Sequence, residues 1–397
     1  MHPADHLRGT KSDKLKGRKI VLGLTGSIAA VESIRLCREL IRHGAEVHVV
    51  MSPDARTIVH PYALEFASGR PAITEIDGGV QHVALCGDVP DKAELLLIAP
   101  ATANTISKIA CGIDDTPVTT FAATALGTGI QVVVVPAMHG SMIKNKAVIE
   151  NISKLKEMGV LVLEPRMEEA KAKMPDIEHI VTYAIRTVGR NDLKGRKVLV
   201  IAGSTEEPMD DIRVITNKSS GETGIEFARA AYEHGASVDL WMGRCDTPIP
   251  SYFTTTRFSS FKELAALMGK VDHDVVFFPA AVSDYSPDKF EGKMQSDKES
   301  ITVTFKRNPK LIDAIKAKVV VGFKAQAKLD DEGLVDDAKL LLDRSKCSLV
   351  VANKIEEVSK GRTRILLVEK NGLFINLEGT KFDVAERVVD RVARMIQ

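Results

Sequence analysis

The sequence predicts two tandem three-layer α/β domains, each with a mainly parallel β-sheet between layers of helices. The first observation is an internal repeat: residues 15–19 (LKGRK) recur at residues 193–197, and an apolar run follows each copy. Each run leads into a turn of small residues, a helical stretch that ends at a His-Gly pair, and a second apolar run, which is the order of a βαβ unit. The second observation is that the apolar runs do not alternate with polar residues, as is typical of strands in parallel sheets covered on both faces.

The boundaries of the two domains follow from the repeat and from local polarity. A chain of 397 residues has room for two domains of ordinary size. Residues 189–192 (GRND) are polar and turn-forming, and they directly precede the second copy of the repeat. The first residues are polar and contain no apolar run. We therefore expect a disordered tail at residues 1–15, a first domain at residues 16–190 and a second domain at residues 191–397.

The elements of both domains follow from the apolar runs in chain order. In the first domain we expect strands at residues 20–24, 47–51, 95–99, 132–135 and 160–163, with helices between them. In the second domain we expect strands near Val198, Val238, Val275, Val319 and Leu349. The alternating residues 301–305 (ITVTF) predict an edge strand or a hairpin. Residues 383–396, with an apolar side chain at every fourth position from Val384, predict a closing amphipathic helix.

Composition excludes several classes of function. Lys and Arg total 54 against 53 Asp and Glu, which excludes a generally basic surface and leaves only a local basic patch open. Aromatic residues make up only 5%, which disfavours a protein that stacks single-stranded bases. Its apolar runs are far shorter than the ~20 residues that span a bilayer. Five widely spaced cysteines without a Cys-x-x-Cys pair argue against a disulfide framework or a zinc ribbon. We therefore expect a cytoplasmic protein without nucleic-acid or membrane partners.

The first domain places small and hydroxyl residues where a ligand would bind. Gly26, Ser27 and Ile28 follow the first strand, where a phosphate can approach the backbone and where Ser27 can equally act as an ordinary helix cap. The G-x-G-x-x-G pattern of dinucleotide sites is absent, and the second strand ends at Met51-Ser52 rather than at an acidic residue. A mononucleotide-sized ligand such as flavin mononucleotide (FMN) therefore fits better than a dinucleotide.

Two further turns of the first domain carry polar groups. Thr102 and Asn104, in residues 99–105 (APATANT), could bond the polar edge of a flat ring or cap a helix. His139 lies in residues 136–142 (PAMHGSM). His82 and His139 flank strand ends that could face the same pocket, so either imidazole could act as an acid or base, or lie at the surface or cap a helix.

The second domain also combines polar turns with charged residues. Asn217 opens residues 217–221 (NKSSG), whose amide, hydroxyl and N–H groups could hold a phosphate or an acyl intermediate. Asp284, in residues 280–285 (AAVSDY), suits a ribose or a Mg²⁺ ion, and Lys293 and Lys324 could neutralise a triphosphate. Taken one at a time, each of these charges could equally be a solvated surface group.

Taken together and in order, these motifs resemble one known family. Residues 99–105, 136–142, 217–221 and 280–285 and the pair Asn308-Pro309 are similar to those of the bifunctional phosphopantothenoylcysteine decarboxylase/phosphopantothenate–cysteine ligase of coenzyme A biosynthesis, in its archaeal type. The resemblance extends from about residue 16 to the end. It implies a flavodoxin-like or Rossmann-like flavoprotein domain that binds FMN, followed by a Rossmann-like ligase domain that uses CTP and Mg²⁺.

For the first domain, the resemblance implies decarboxylation of phosphopantothenoylcysteine with His82 as the catalytic base. The residues implied to contact FMN are Gly26, Ser27, Ile28, Ser52, Thr102 and Asn104. Those implied to contact the substrate are Met138, His139 and Met142. Two departures stand out: His139 replaces the usual Asn, and residues 164–175 (EPRMEEAKAKMP) lack the usual Ala-Cys-Gly-Asp clamp. The clamp cysteine ordinarily donates a proton, and Cys86 and Cys111 are weak candidates to replace it.

For the second domain, the resemblance implies that CTP converts 4′-phosphopantothenate into an acyl-nucleotide, which the amine of cysteine then attacks. Asn217 and Lys293 are the implied catalytic residues, and no metal ligands are assigned. The residues implied to contact the nucleotide are Ala281, Asp284, Lys293, Pro309, Lys310, Leu311, Ile312, Phe323 and Lys339. Glu206 stands where the family usually has Arg.

The resemblance also implies a homo-oligomer, with a trimeric decarboxylase core and a dimeric ligase that together could form a dodecamer. Three alternatives stay open from the residues: a ligase with a vestigial, non-catalytic flavin-binding domain, a flavoprotein scaffold, and a NAD-linked reductase. The last is weakened by the missing dinucleotide pattern. The sequence does not decide between CTP and ATP, because the shape of a pocket selects the base.

Overall fold

The computed structural model describes residues 2–169, 171–295 and 299–396. Contacts divide the chain into two compact units, Met1–Gly189 and Arg190–Gln397, so the division falls within one residue of the expected boundary. Each unit is an α/β layer structure around a sheet with parallel strands, which confirms the predicted fold class. Among the described residues, no helix has both the length and the apolar character needed to cross a bilayer.

The first unit is built on a five-stranded parallel sheet in the order β2-β1-β3-β4-β6. This order is that of flavodoxin-like sheets. The strands of the unit are β1 (Lys19–Leu24), β2 (Glu46–Met51), β3 (Leu95–Ala101), β4 (Gln131–Pro136), β5 (Met138–His139), β6 (Leu161–Val162), β7 (Arg166–Glu168) and β8 (Lys171–Lys173). Strands β5, β8 and β7 form a separate small antiparallel sheet.

Helices cover both faces of the first sheet. They are α1 (Ser33–Arg42), α2 (Pro53–Arg56), α3 (Pro61–Ser68), α4 (Gln81–Cys86), α5 (Ala103–Cys111), α6 (Pro117–Gly127), α7 (Gly140–Ile143), α8 (Lys146–Glu157) and α9 (Ile177–Val188). One apolar cluster packs α1, α3 and α9 on the sheet, and a second packs α5, α6 and α8 on the opposite face. All seven residues of β3 are buried, which explains why its sequence lacks polar alternation.

The expected disordered tail is wrong for the described residues 2–15. Ala4 and Leu15 are buried, and the segment runs along the carboxyl end of α1. The N–H groups of Gly9 and Lys11 donate to the carbonyls of Ile41 (3.1 Å) and Arg42 (2.9 Å). The last carbonyls of a helix have no partner within the helix, and here the N–H groups of the N-terminal segment bond them. The polar composition of the segment suggests a tail because it does not reveal these bonds.

The second unit contains an eight-stranded sheet in the order β13-β12-β9-β14-β17-β18-β19-β20. The first six of these strands are parallel, and β19 and β20 are antiparallel to their neighbours. The strands of the unit are β9 (Lys197–Ala202), β10 (Glu206–Pro208), β11 (Val214–Thr216), β12 (Ser237–Met242), β13 (Thr254–Arg257), β14 (Val275–Phe278), β15 (Tyr285–Pro287), β16 (Phe305–Arg307), β17 (Val319–Gln326), β18 (Leu349–Lys354), β19 (Arg362–Glu369) and β20 (Phe374–Thr380). Pairs β10–β11 and β15–β16 form two short ribbons outside the main sheet.

Four α-helices complete the second unit among its described residues: α10 (Glu222–Glu233), α11 (Phe261–Leu267), α12 (Asp331–Ser345) and α13 (Lys381–Ile396). The predicted closing helix is confirmed as α13, with Val384, Val388 and Val392 buried on one stripe. Residues 301–305 form a strand only at their end, because β16 begins at Phe305 and its partner is the three-residue β15. One backbone bond continues the pairing past Pro287, from the N–H of Asp288 to the carbonyl of Thr304 (3.0 Å), but residues 301–304 are not part of a strand.

Candidate functional site

The carboxyl ends of four parallel strands meet at one edge of the first sheet. Strands β2, β1, β3 and β4 are neighbours in register, so the turns that follow them lie side by side. Three of these turns begin helical segments with a hydroxyl cap: Ser27 accepts from the N–H of Ala29 (3.4 Å), Ser52 from Ala55 (3.3 Å) and Thr102 from Thr105 (3.3 Å). A hydroxyl that accepts in a cap can still donate its own hydrogen to an anion. The capping and binding interpretations of these residues are therefore compatible.

Two features fix these turns against each other. The buried Thr25 donates its hydroxyl to the carbonyl of Pro100 (2.8 Å) and accepts from the N–H of Thr102 (2.9 Å). At Gly26, an added Cβ would lie only 2.4 Å from the Cβ of Asp54, so only glycine lets the first turn approach the second this closely. Sequence reasoning missed Thr25, because a threonine directly after a strand carries no distinctive signal.

A groove of about 910 Å³ opens beside the first of these turns. Ser27 and Ile28 line one side, and Met138 and His139 of β5 line another. The hairpin β7–β8 pairs with β5 and provides the remaining wall. Residues 164–175 lack the usual clamp motif, but they place this hairpin against the segment implied to hold the substrate. Charged side chains around the groove are Glu32, Arg35, Arg166, Lys171, Lys173, Asp176 and Glu178.

His139 is oriented by its own turn. Its Nδ1 accepts from the N–H of Ser141 (3.3 Å) and lies 2.9 Å from the hydroxyl of Ser141. A neutral ring with an accepting Nδ1 carries its proton on Nε2, so this nitrogen can donate a hydrogen bond as an asparagine amide does. Met142 lies on α7 outside the residues that line the groove, and Asn104 is exposed on the first turn of α5.

His82 does not share the groove with His139 within one chain. Its helix α4 packs on α6, and its ring meets Phe121 edge-on at 6.5 Å between centroids. The carbonyls of Leu85 and Cys86 accept from Ala93 and Thr128, which precede β3 and β4, so the end of α4 lies towards the amino edge of the sheet. The Nδ1 of His82 is buried and has no hydrogen-bond partner in the described chain.

Cys86 is a poor candidate for the missing proton donor. The thiol is fully buried, and burial raises its pKa to about 12. It also lies at the end of α4, away from the groove. Cys111 is exposed at the end of α5 and does not line the groove either.

The second unit brings most of its predicted nucleotide residues together at the carboxyl edge of its sheet. A cavity of about 280 Å³ is lined by Asp284, by residues 309–312 and by Phe323, and the ammonium of Lys310 pairs with the Asp284 carboxylate. An adjoining cavity of about 510 Å³ shares Asp284, Lys310 and Phe323 and adds Ala281 and the turn 218–221. The shared lining residues join both cavities into one site beside Asp284.

Asn217 lies next to this site. One N–H of its side-chain amide donates to the carbonyl of Ala281 (3.1 Å). Asn217, Asp284 and Tyr285 line a third, open cavity of about 560 Å³. The buried Thr205 holds this arrangement, since its hydroxyl accepts from the N–H of Ser283 (3.0 Å). The carboxamide therefore faces the same strand end as Asp284.

Two predicted residues do not join this group in the described structure. Lys293 is exposed between Gly292 and Met294 and lines none of the three cavities described above. Lys339 lies on α12 and pairs with Asp336 at 3.3 Å. Sequence reasoning missed Lys381, a buried lysine that lines the 510 Å³ cavity from the first position of α13. A lysine at a helix start carries no sequence signal for such a role.

Comparisons with known proteins agree with this division. Residues 8–189 match the family described as Flavoprotein, and residues 193–396 match the DNA/pantothenate metabolism flavoprotein C-terminal domain. The chain is 44% identical to the coenzyme A biosynthesis bifunctional protein CoaBC of Thermococcus kodakarensis, over 100% of both chains. It is 36% identical to the protein of the same name from Methanocaldococcus jannaschii, over 100% of this chain and 98% of the relative. A crystal structure of the DNA/pantothenate metabolism flavoprotein from Streptococcus pneumoniae is 25% identical and covers 50% of this chain and 99% of its own, with a TM-score of 0.47.

The fold and the two family matches define a flavoprotein domain joined to a ligase domain. The chain belongs to the family of coenzyme A biosynthesis bifunctional proteins. The expected pair of activities, phosphopantothenoylcysteine decarboxylase and phosphopantothenate–cysteine ligase, is thereby confirmed, and the bifunctional enzyme is favoured over a ligase with a vestigial flavin domain.

Proposed function

We propose that the first unit binds FMN at the turns after β1, β2 and β3, and that the second unit uses CTP and Mg²⁺ to couple 4′-phosphopantothenate with cysteine. The observation that carries the proposal is that each sheet gathers most of its predicted ligand residues at the carboxyl edge, where α/β sheets bind nucleotides. The free cysteines suit the reducing cytoplasm, where we place the protein.

The turns after β1 and β2 carry hydroxyl and N–H groups that suit the phosphate of a flavin. The cradle at Gly26 brings two hydroxyl-capped turns together, and Ser27 and Ser52 offer hydroxyl and N–H groups to an anion. Thr102 and Asn104 lie on the neighbouring turn and suit the polar edge of the ring system. FMN supplies reversible two-electron chemistry when it is bound. We assign Met138, His139 and Met142 to the substrate, with the Nε2–H of His139 donating to its carboxylate.

The position of His82 supports an active site shared between copies of the chain. In its own chain, His82 lies away from the flavin turns, and its buried Nδ1 lacks a partner among the described residues. Val80 and Val83 beside it are exposed apolar residues, and so are Ile28 and Val31 beside the flavin turn. Apolar exposure on two faces is typical of surfaces that are covered in an assembly. We therefore propose a homo-oligomer, with a trimeric decarboxylase core, in which His82 of one copy acts as base at the flavin turns of the next.

In the second unit, we assign the acyl-nucleotide to the cavities beside Asp284. One N–H of the Asn217 amide holds the carbonyl of Ala281, which leaves its second N–H free to stabilise the oxyanion of the acyl intermediate. Phe323 and the turn 309–312 surround the nucleotide in this proposal. Lys293 and Lys339, which line none of the three cavities in the described structure, would contact the nucleotide only once it is bound. The two ligase domains pair as a dimer in this proposal.

Measuring both products tests the division of labour. With phosphopantothenoylcysteine supplied, His82→Asn should abolish release of CO₂ and leave formation of pyrophosphate intact. Asn217→Asp should do the reverse and slow formation of the amide only. His60→Asn, at an exposed histidine that caps α3, is the matched control and should change neither product. If His82→Asn or Asn217→Asp impairs both activities equally with the fold preserved, the proposal of two separate sites is wrong. Running the ligase with CTP and with ATP identifies the nucleotide.

Mixing two inactive variants tests the shared site. Gly26→Val blocks the flavin turns because its side chain meets Asp54, whereas His82→Asn leaves those turns intact. A mixed oligomer should recover roughly a quarter of the decarboxylase activity, since one in four turn–histidine pairs is then intact. Mass spectrometry of the intact oligomer shows whether the two variants have exchanged subunits. If they have and the mixture stays inactive, both parts of the site lie in one chain.

A further inference from the structure

The hairpin β10–β11 connects the two predicted catalytic residues of the ligase. Asn217 follows directly after β11, and the tip of the hairpin, residues 209–213, contacts the segment that carries Lys293. The side chain of Lys293 is exposed, so contacts of that side chain do not fix the position of its backbone. The contacts that hold it are on its neighbours in the chain.

Asp210 holds the residue after Lys293. Its carboxylate is fully buried, and its Oδ2 accepts from the N–H of Met294 at 3.0 Å. Arg213 pairs with the same carboxylate at 2.8 Å and donates to the carbonyl of Met294 at 3.2 Å. Both backbone groups of Met294 are therefore bonded to the hairpin tip. The N–H of Met294 and those of Arg213 and Ile212 lower the pKa of Asp210 to about 2, so the anchor is charged at neutral pH.

Asp211 holds the residue before Lys293. The N–H of Gly292 donates to the Asp211 carboxylate at 3.1 Å, and the N–H of Asp211 donates to the carbonyl of Gly292 at 3.2 Å. Lys289 adds an ion pair to Asp211 at 2.7 Å. The backbone is thus anchored on each side of Lys293 while the lysine side chain projects from the surface.

The base of the same hairpin is anchored close to Asp284, which lines the 280 Å³ and 510 Å³ cavities. The buried Glu207 accepts from the hydroxyl of Ser286 at 3.0 Å and from the N–H of Phe261 at 2.9 Å. Ser286 lies two residues after Asp284. The hairpin therefore extends from the strand end beside Asp284 to the Lys293 segment and is hydrogen-bonded at both ends.

We propose that Asp210 and Asp211 are positioning residues of the ligase, which fix the backbone on both sides of Lys293 relative to Asn217 and the nucleotide cavity. The proposal rests on the proposed role of Lys293 in the ligase reaction. A catalytic cation must be placed to within a fraction of an ångström, and loss of such placement lowers rates by up to about 100-fold.

A double-mutant cycle on the full-length protein tests this inference. Asp210→Asn preserves shape and removes the charge that holds Met294, and we expect pyrophosphate formation to slow by about 10- to 100-fold at unchanged CO₂ release. If Asp210 acts through Lys293, the double variant Asp210→Asn/Lys293→Gln should be no slower than Lys293→Gln alone. Asp272→Asn, at an exposed aspartate that pairs with Lys197 at 3.0 Å before the amino end of β14, is the matched control and should leave the rate unchanged.

The outcomes separate this inference from the proposed function. If Lys293→Gln keeps full ligase activity, the proposed role of Lys293 is wrong and the inference falls with it. Suppose instead that Lys293→Gln slows pyrophosphate formation, and that the double variant is slower by the product of the two single effects. Asp210 then has only a structural role, and the inference alone is overturned. If Asp210→Asn unfolds, Asp211→Asn is a second variant, at the partly exposed aspartate that bonds Gly292. It should slow pyrophosphate formation less than Asp210→Asn does, and it should cause no further loss of rate when combined with Lys293→Gln.

Discussion

At Gly224, the single methyl group added by Gly224→Ala should slow the ligase reaction and leave the decarboxylase reaction unchanged. Gly224 lies on the first turn of α10, against the carboxyl ends of β9 and β14. A Cβ at this position would lie 2.1 Å from the Cβ of Ala202 and 3.4 Å from Pro279. Carbon atoms in contact lie about 3.5–4.0 Å apart, so α10 would have to retreat by more than about 1 Å. Overpacking of this kind costs about 1–3 kcal/mol.

The displacement acts on the 510 Å³ cavity to which we assign the nucleotide, because Gly224 and the turn 218–221 before α10 line that cavity. For Gly224→Ala we expect the unfolding temperature of the second unit to fall by roughly 2–12 °C. Pyrophosphate formation should slow by about 10-fold or more, since the turn moves with the helix. Calorimetry and the two product assays measure these effects, and CO₂ release from supplied phosphopantothenoylcysteine should be unchanged.

Gly269→Ala is the matched control. Its Cβ would meet nothing within 4 Å, and its φ is not in the left-handed region, so stability and both activities should stay as in the unmodified protein. If Gly224→Ala behaves like Gly269→Ala, the close approach of α10 to β9 does not limit the ligase site and the reasoning is refuted.

Two further predictions concern buried hydrogen bonds. Thr25→Val removes two bonds between the turns after β1 and β3, so it should destabilise the first unit by about 1–3 kcal/mol and weaken flavin retention, and full retention of flavin on dilution would contradict this. Burial lowers the pKa of His234, but the hydrogen bonds and charges of Glu386 and Asp192 outweigh burial and raise it above the usual 6.5. Stability from the imidazolium is present below pH 6.5 and is lost as the pH rises through the raised pKa. His234→Gln should abolish this pH dependence in urea unfolding, and an unchanged slope would contradict the assignment.

The main elements could be predicted because their apolar patterns report burial directly. The continuous apolar run of β3 and the four-residue spacing from Val384 on α13 each match the structure. The hairpin β19–β20 was not predicted, although Asn371-Gly372 at its tip is a strong turn signal, with Gly372 at φ +80°. The N-terminal segment was misjudged, because its hydrogen bonds go to carbonyls about 30 residues away that local polarity does not reveal.

The fold class, the family and the turns that follow the strands are predictable from the order of the residues. Apolar runs and turn chemistry are local signals, and parallel sheets place their turns at one edge. The folded chain was needed to show that His82 lies apart from His139 in one chain, that Asp210 bonds the residue after Lys293, and that Lys381 lines the 510 Å³ cavity. Each of these depends on contacts between groups far apart in the chain, whose geometry is set by packing and not by any spacing in the sequence.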